Sequence, residues 1–334
     1  MTYKRGLVLV MLAGGLVLVA LVAYHGFGDV AADMSRIGWG LVAVALLHLV
    51  PMTLSALGWQ ALHRGVWQAS FLLYLRGRWI RESIDGLLPV GQIGGEVVGA
   101  RLLAKHGAKA NLAAAGIIVD VTMEVITQFL FSLVGVAVLI AYRGYDGTVY
   151  WLIVGACIAA PALLGFVLAQ RWGLFRLVER ALEALASWLG MASLAGMAGL
   201  HDAIAALHRN RRNLAASFAG HFASWLIGSC EIWLALHLLG HPGGFAEALI
   251  LESLVQAVRS AAFIVPGALG VQESGYIVLG GLIGLGPELG LSLALVKRVR
   301  ELLVGLPGLL AWQIEEGRFL LRRRESEPGG TPRP

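Results

Sequence analysis

Long apolar runs separated by short polar loops fill this chain. After Lys4 and Arg5 the sequence is apolar over residues 6–24. That run is long, and no small-residue cleavage site follows it cleanly, so it reads as a retained first span rather than a signal peptide. Further runs of spanning length cover about residues 37–59, with His48 and Pro51 inside, then 110–142, 149–169, 214–239 and 289–312. The pattern predicts an all-α polytopic membrane protein with about six transmembrane helices.

Two apolar stretches are too broken to span. In RESIDGLLPVGQIGGEVVGAR, Pro89 removes a backbone donor, and Gly91, Gly94 and Gly95 let the chain turn before Glu96 and Arg101. In FIVPGALGVQESGY, Pro266, Gly267 and Gly270 precede Glu273. Both copies place a glutamate seven residues after a proline, and Arg81 and Arg259 stand one to two turns upstream. Non-helical backbone survives in a bilayer only where protein or a water-filled cavity satisfies it. The two stretches therefore read as re-entrant helical hairpins, over about residues 80–105 and 245–285. A duplicated pair of Gly/Pro-interrupted segments is a pointer to a transporter's binding site. The plainer reading is two packing kinks, since glycine and proline are common in membrane helices.

Residues 170–213 form the one sizeable insert. Its segment LFRLVERALEALASWLG repeats apolar residues at helical spacing, which predicts an amphipathic helix at the cytoplasmic interface or across the bundle. Residues 1–318 read as one domain, and 319–334 as a basic, Pro/Gly-rich disordered tail. Lys and Arg collect at the N-terminus, in 60–82, in the insert and in the tail, and are scarce in 25–36, 143–148 and 240–247. The positive-inside rule then puts both termini in the cytoplasm. Six spans close that topology only if each hairpin returns to its side of entry, the first from the cytoplasm and the second from outside. That arrangement is inverted.

Composition supports the class. Hydrophobic residues make up 57% and charged residues 14%, against about 25% charged in soluble chains. The net charge of +5 sits in loops and tail, which suits a membrane surface better than nucleic acid. Cys157 and Cys230 both lie in apolar runs and read as small core residues.

Charges inside the apolar runs carry the candidate chemistry. Lys297, Arg298, Arg300 and Glu301 stand near the middle of the last run. Each costs about 2.5–3.5 kcal/mol at a helix centre, and they share an arc of roughly 160°. Spacing lets Glu301 pair with Lys297, leaving Arg298 and Arg300 without a local partner. The alternative is a short span whose charges snorkel to an interface. Asp120 and Glu124 share a face with Gln128, and Glu231, in the run over 214–239, is a third acid. Counter-ions to the basic cluster, a proton or cation relay, and ligands of a lipid ammonium all stay open for them. Glu96 and Glu273, at the start of each second hairpin helix, are placed to cap free amides. The nine histidines give no metal-site spacing, and Walker, dinucleotide and nucleophile-elbow motifs are missing, so no cofactor is expected.

The segments LLPVGQIGGEVVGARLL, AAAGIIVDVTMEVITQ and VPGALGVQESGY resemble the lysylphosphatidylglycerol synthase transmembrane-region family over about residues 5–318. Within it, RWIRESIDGLLPVGQIGGEVVGARLL is most similar to the hopanoid-biosynthesis-associated (HpnL-like) subgroup. The resemblance implies a lipid-handling membrane module. In larger relatives such a region translocates aminoacylated phospholipid, while a separate soluble domain, expected to be absent here, transfers the aminoacyl group. The expected function is thus flippase-like translocation of a phospholipid or hopanoid-type lipid in a bacterial inner membrane. Arg259, Lys297, Arg298 and Arg300 would hold an anionic or zwitterionic headgroup, with Asp120, Glu124, Glu301, Glu96, Arg101 and Glu273 lining the groove. Hopanoid-biosynthesis enzymes are the protein partners the subgroup implies. The alternative is a headgroup-modifying membrane enzyme using Asp120 or Glu124 as general base. The sequence gives neither the lipid nor the oligomeric state.

Overall fold

The computed structural model describes residues 35–88, 94–145, 147–171, 199–262 and 265–326. The expected first span, the amphipathic segment of the insert, Pro89 and Gly91 lie outside them. Every regular element among the described residues is helical: α1 (Gly40–His63), α2 (Phe71–Leu87), α3 (Gly94–Lys105), α4 (Ala110–Arg143), α5 (Gly147–Arg171), α6 (Leu200–Arg209), α7 (Arg211–Leu238), α8 (Phe245–Ala261), a 3-10 turn (Pro266–Ala268), α9 (Val271–Leu282) and α10 (Pro287–Ser326).

Among them, α1 and α4 are long and apolar enough to cross a membrane by length and composition. The bundle has its polarity reversed relative to a water-soluble protein. Leu46, Ile158 and Leu310 are 60–70% exposed, whereas Arg81 and Asp120 are sealed inside. Apolar side chains facing outward and ionised ones facing inward is the arrangement a lipid solvent selects.

α1 packs along α7 where small residues let the backbones approach. A Cβ on Gly220 would lie 2.8 Å from the Leu54 carbonyl oxygen and 3.0 Å from the Gly58 Cα. Ser55 and Ser224 exchange a 2.9 Å hydrogen bond across the same seam, and Ser224 sits 2.9 Å from the Pro51 carbonyl. Small residues and hydroxyls are what hold helices together without a hydrophobic driving force.

Two helix–break–helix units stand in the bundle. In the first, α3 folds back on α2: Gly95 and Gly99 press on Arg81, and Leu102 reaches Gly77. This hairpin's first arm starts at Phe71, well before residue 80. The basic residues between Phe71 and residue 80, expected to lie ahead of the hairpin, are thus part of its first helix. In the second unit α9 folds back on α8, setting Gly275 against Val255 and Tyr276 against Glu252. The turn between them needs left-handed backbone at Gly267 (φ +60°) and Gly270 (φ +78°), which glycine adopts without strain. The tips of the units touch: a Cβ on Gly267 would lie 3.0 Å from the Gly86 carbonyl oxygen.

Each unit is followed by a long helix, α4 after the first and α10 after the second. α10 continues to Ser326, so helix occupies the start of the segment expected to be a disordered tail. Two apolar clusters back the units. One gathers Trp59, Tyr74, Ile80, Leu103 and Val119 around the first hairpin, and the other Leu236, Leu251, Tyr276, Leu293 and Val296 around the second.

Candidate functional site

The buried charges fall into three groups where the hairpins meet the long helices. The first joins α2, α3, α4 and α7. Arg81 pairs with Asp120 of α4 at 2.7 Å and Glu96 of α3 at 2.6 Å, and its guanidinium lies 4.7 Å over the Trp59 ring. His221 of α7 meets the other Asp120 oxygen at 2.9 Å. Three residues earlier on α2, Arg78 forks onto Glu124 with bonds of 2.8 and 2.7 Å. Such bidentate pairs are the stronger kind of charged hydrogen bond. Asp85 accepts from the Gly95 N–H at 2.8 Å, satisfying an open donor at the start of α3.

The second group is threaded by His48 of α1. Its Nδ1 lies 2.7 Å from Glu231 of α7 and its Nε2 2.6 Å from Glu82 of α2. Arg300 of α10 reaches Glu82 at 3.3 Å and Glu231 at 3.4 Å. Lys297 reaches Glu252 of α8 at 3.0 Å and Glu231 at 3.4 Å, and the Tyr276 hydroxyl of α9 donates to Glu252 at 3.3 Å.

The third group holds the second turn. Arg298 donates to Glu273 at 2.6 Å, to the Gly267 carbonyl at 2.7 Å and to Glu301 at 2.8 Å. Arg259 of α8 pairs with Glu301 at 2.6 Å and donates to Gln272 at 2.7 Å. Glu273 also accepts from the Gly270 N–H at 2.7 Å and so caps α9.

The units share a logic. An arginine on the first hairpin helix, Arg81 or Arg259, reaches an acid on the long helix that follows, Asp120 or Glu301.

Most of the candidates named from sequence converge here, with corrections to their pairing. Lys297 and Glu301 do not pair with each other: Lys297 reaches toward the acids of α7 and α8, while Glu301 takes Arg298 one turn back and Arg259. Arg298 and Arg300, expected to lack partners, are both held by carboxylates. Asp120 and Glu124 balance Arg81 and Arg78 of the first hairpin rather than the cations of α10, because α4 lies against α3 and the long arginine side chains of α2 reach across to it. Glu273 caps its helix as expected, whereas in the first hairpin Asp85 takes that place and Glu96 turns to Arg81. Arg101 lies apart from all three groups, half exposed, at the outer end where it and Lys105 meet Glu316.

Sequence reading passed over Arg78, Glu82, His221 and Glu252, and gave His48 no role. The signal for two of them is present: Arg78, Arg81, Glu82 and Asp85 recur at three- and four-residue spacing, one polar face of a helix. His48, His221 and Glu252 are lone polar residues in apolar runs, and spacing cannot pair them.

Over the three groups, among the described residues, nine carboxylates face six cations. Carboxylates thus outnumber arginines and lysines, where the last apolar run alone implies a basic site, and His48 and His221 stand among them.

No solved structure matches this chain. It is 23% identical over 330 residues to a UPF0104 membrane protein of Methanothermobacter thermautotrophicus, covering 92% of this chain and 93% of that one. It also matches the family described as the lysylphosphatidylglycerol synthase TM region over residues 7–308. That match takes in both hairpins, all three charge groups and the long helices that carry them, and the chain belongs to the lysylphosphatidylglycerol synthase transmembrane-region family of multi-pass membrane proteins.

Proposed function

We propose that this protein translocates a lipid between leaflets, in the manner of a flippase, along a groove between its two hairpins. The observation that carries the reading is the meeting of the hairpin tips, Gly86 against Gly267, beside a buried network of ion pairs in a bundle whose outer face is apolar. Ionised groups at membrane depth are costly and mark substrate or ion pathways. A headgroup would cross among them while its acyl or hopanoid tail stays in the bilayer. The excess of carboxylates favours a headgroup carrying an ammonium, as in a zwitterionic phospholipid, over a purely anionic one. The topology proposed with it has about six spans, both hairpins re-entrant from opposite sides, and both termini in the cytoplasm of a bacterium. A hopanoid-type lipid, and hopanoid-biosynthesis enzymes as partners, follow from the subgroup resemblance.

Translocation is favoured over headgroup chemistry by the state of the candidate bases. Asp120 is held by Arg81 and His221, and Glu124 by both arms of Arg78. A carboxylate engaged by a guanidinium is a poor general base, because its basicity is already spent on the pair.

Purified protein in liposomes, assayed for leaflet exchange of a panel of labelled lipids, tests the proposal. Zwitterionic phospholipid should exchange well above the protein-free rate. Arg298→Ala should stop exchange and also lower the melting temperature, since Arg298 fastens the Gly267 turn as well as two acids. Absence of exchange for every lipid by well-folded protein would sink the reading.

A further inference from the structure

His48 touches a carboxylate with each of its ring nitrogens, at 2.7 Å to Glu231 and 2.6 Å to Glu82. An ionised carboxylate only accepts, and a neutral imidazole has one N–H and one lone pair. A neutral ring between two ionised glutamates would therefore place a lone pair against a carboxylate oxygen at hydrogen-bond distance, a repulsive contact. Both contacts are attractive only if the three groups hold one proton more, on the ring or on a carboxyl group.

Charge gives the same answer independently. With that proton, His48, Lys297 and Arg300 balance Glu82, Glu231 and Glu252 one for one. Without it, one negative charge is left uncompensated in a buried site, which is expensive. The groups facing the ring come from each helix that meets it there: Glu82 of α2, Glu231 of α7 and Arg300 of α10, with Lys297 behind Glu231 and Arg78 near Glu82. From α4, also packed on α1, no ion pair reaches the ring among the described residues.

We propose that the His48–Glu82–Glu231 bridge is a proton-binding site, and that its loading and unloading couple a proton gradient to the movement of lipid. The coupling rests on the translocase reading; the proton site itself does not. Glu82 is the way in and out, since its side chain is 30% exposed while those of His48 and Glu231 are 10% and 2%. The site also spans what must move. Glu82 belongs to the first hairpin, and Glu252 and Tyr276, linked through Lys297, belong to the second. Loss of the proton turns one of the two His48 contacts from attraction to repulsion, which loosens either the first hairpin from α1, at Glu82, or α1 from α7, at Glu231.

The test uses full-length protein in lipid bilayers, with 15N-labelled histidine, at pH 8. An ordinary histidine, with a pKa of about 6.5, is neutral there. Nuclear magnetic resonance should show one imidazolium that persists at pH 8 and vanishes in His48→Gln, or infrared spectra should show a protonated carboxyl band that Glu82→Gln removes. In proteoliposomes, a gradient of one pH unit should shift the steady-state leaflet distribution of labelled zwitterionic phospholipid about tenfold if one proton moves per lipid. His48→Gln should abolish that response. If wild-type protein shows neither spectroscopic signature at pH 8, the proton site is refuted whether or not lipids move. A signature with exchange that ignores the gradient refutes the coupling alone. A signature without exchange of any lipid overturns the translocase reading and leaves the proton site standing.

Discussion

Arg78 and Glu124 meet through two parallel hydrogen bonds, and neither has another ion pair within 4.0 Å among the described residues, although Glu82 and Asp120 stand near Arg78 and Arg81 near Glu124. The bidentate contact makes them the pair in which to measure what a buried ion pair does for this fold. Removing one partner strands the other in a medium that solvates it poorly, so Glu124→Leu should destabilise by about 3–5 kcal/mol. Removing both leaves no charge stranded, and Arg78→Leu/Glu124→Leu should recover most of the loss. Thermal unfolding of the four proteins in detergent measures the cycle. Additive single losses would mean that each residue acts through packing rather than through the pair. At this scale the sequence was legible where a charge is conspicuous against its surroundings. Lys297, Arg298, Arg300, Asp120 and Glu124 all stand in apolar runs, where their insertion cost marks them. Of their partners, Arg81, Glu231, Glu273 and Glu301 were conspicuous too, but Arg78, Glu82 and Glu252 were not, since Arg78 lies in a run of basic residues and Glu82 and Glu252 stand alone.

Several helix boundaries, set by apolar length, follow the sequence closely, since α4 begins at Ala110 and α5 and α7 differ from expectation only by a few residues at their ends, whereas α10 runs on past residue 312 to Ser326. The hairpins were located by their glycines and prolines, and the second begins at Phe245 as expected, straight after Pro242, Gly243 and Gly244, but the first arm of the first hairpin starts without such punctuation. That is why α2 extends back to Phe71. What the sequence could not say is which face of each helix meets which neighbour. Gly220 shows the cost of that choice. A methyl group there would crowd the Leu54 carbonyl and the Gly58 backbone, neither of which can rotate away. Gly220→Ala should therefore destabilise by about 1–3 kcal/mol through overpacking. Gly155 of α5 is the control: among the described residues, nothing lies within 4 Å of where a Cβ would stand. Gly155→Ala should be neutral or slightly stabilising, since alanine is the better helix former. Equal melting temperatures for the two variants would show that α1 and α7 can separate without cost.

For the whole molecule, the ion pairs tie elements far apart in the chain into one interior. Asp120 meets His221, and Trp79 of α2 donates to the Val304 carbonyl of α10 at 2.7 Å. Such contacts are invisible to spacing, whose reach is one or two helical turns. They also say where motion would have to occur. The tip of α2 rests on α10: a Cβ at Gly305 would lie 3.1 Å from Cγ and 2.7 Å from Cδ1 of Leu87. Cysteines at Leu87 and Gly305 should therefore meet side chain to side chain, in a background where Cys157 and Cys230 are replaced by alanine. A translocase of this design must let a headgroup pass between the hairpin tips and the long helices, so hairpin and α10 must part during each cycle. Oxidation of the Leu87→Cys/Gly305→Cys protein should then stop lipid exchange in proteoliposomes, and reduction should restore it. Each single cysteine variant, under the same oxidant, should keep exchanging, which separates the cross-link from any effect of the substitutions. Exchange that continues at full rate with the bridge demonstrably closed would mean that the hairpins are fixed walls, and that lipid passes along the outside of the bundle instead.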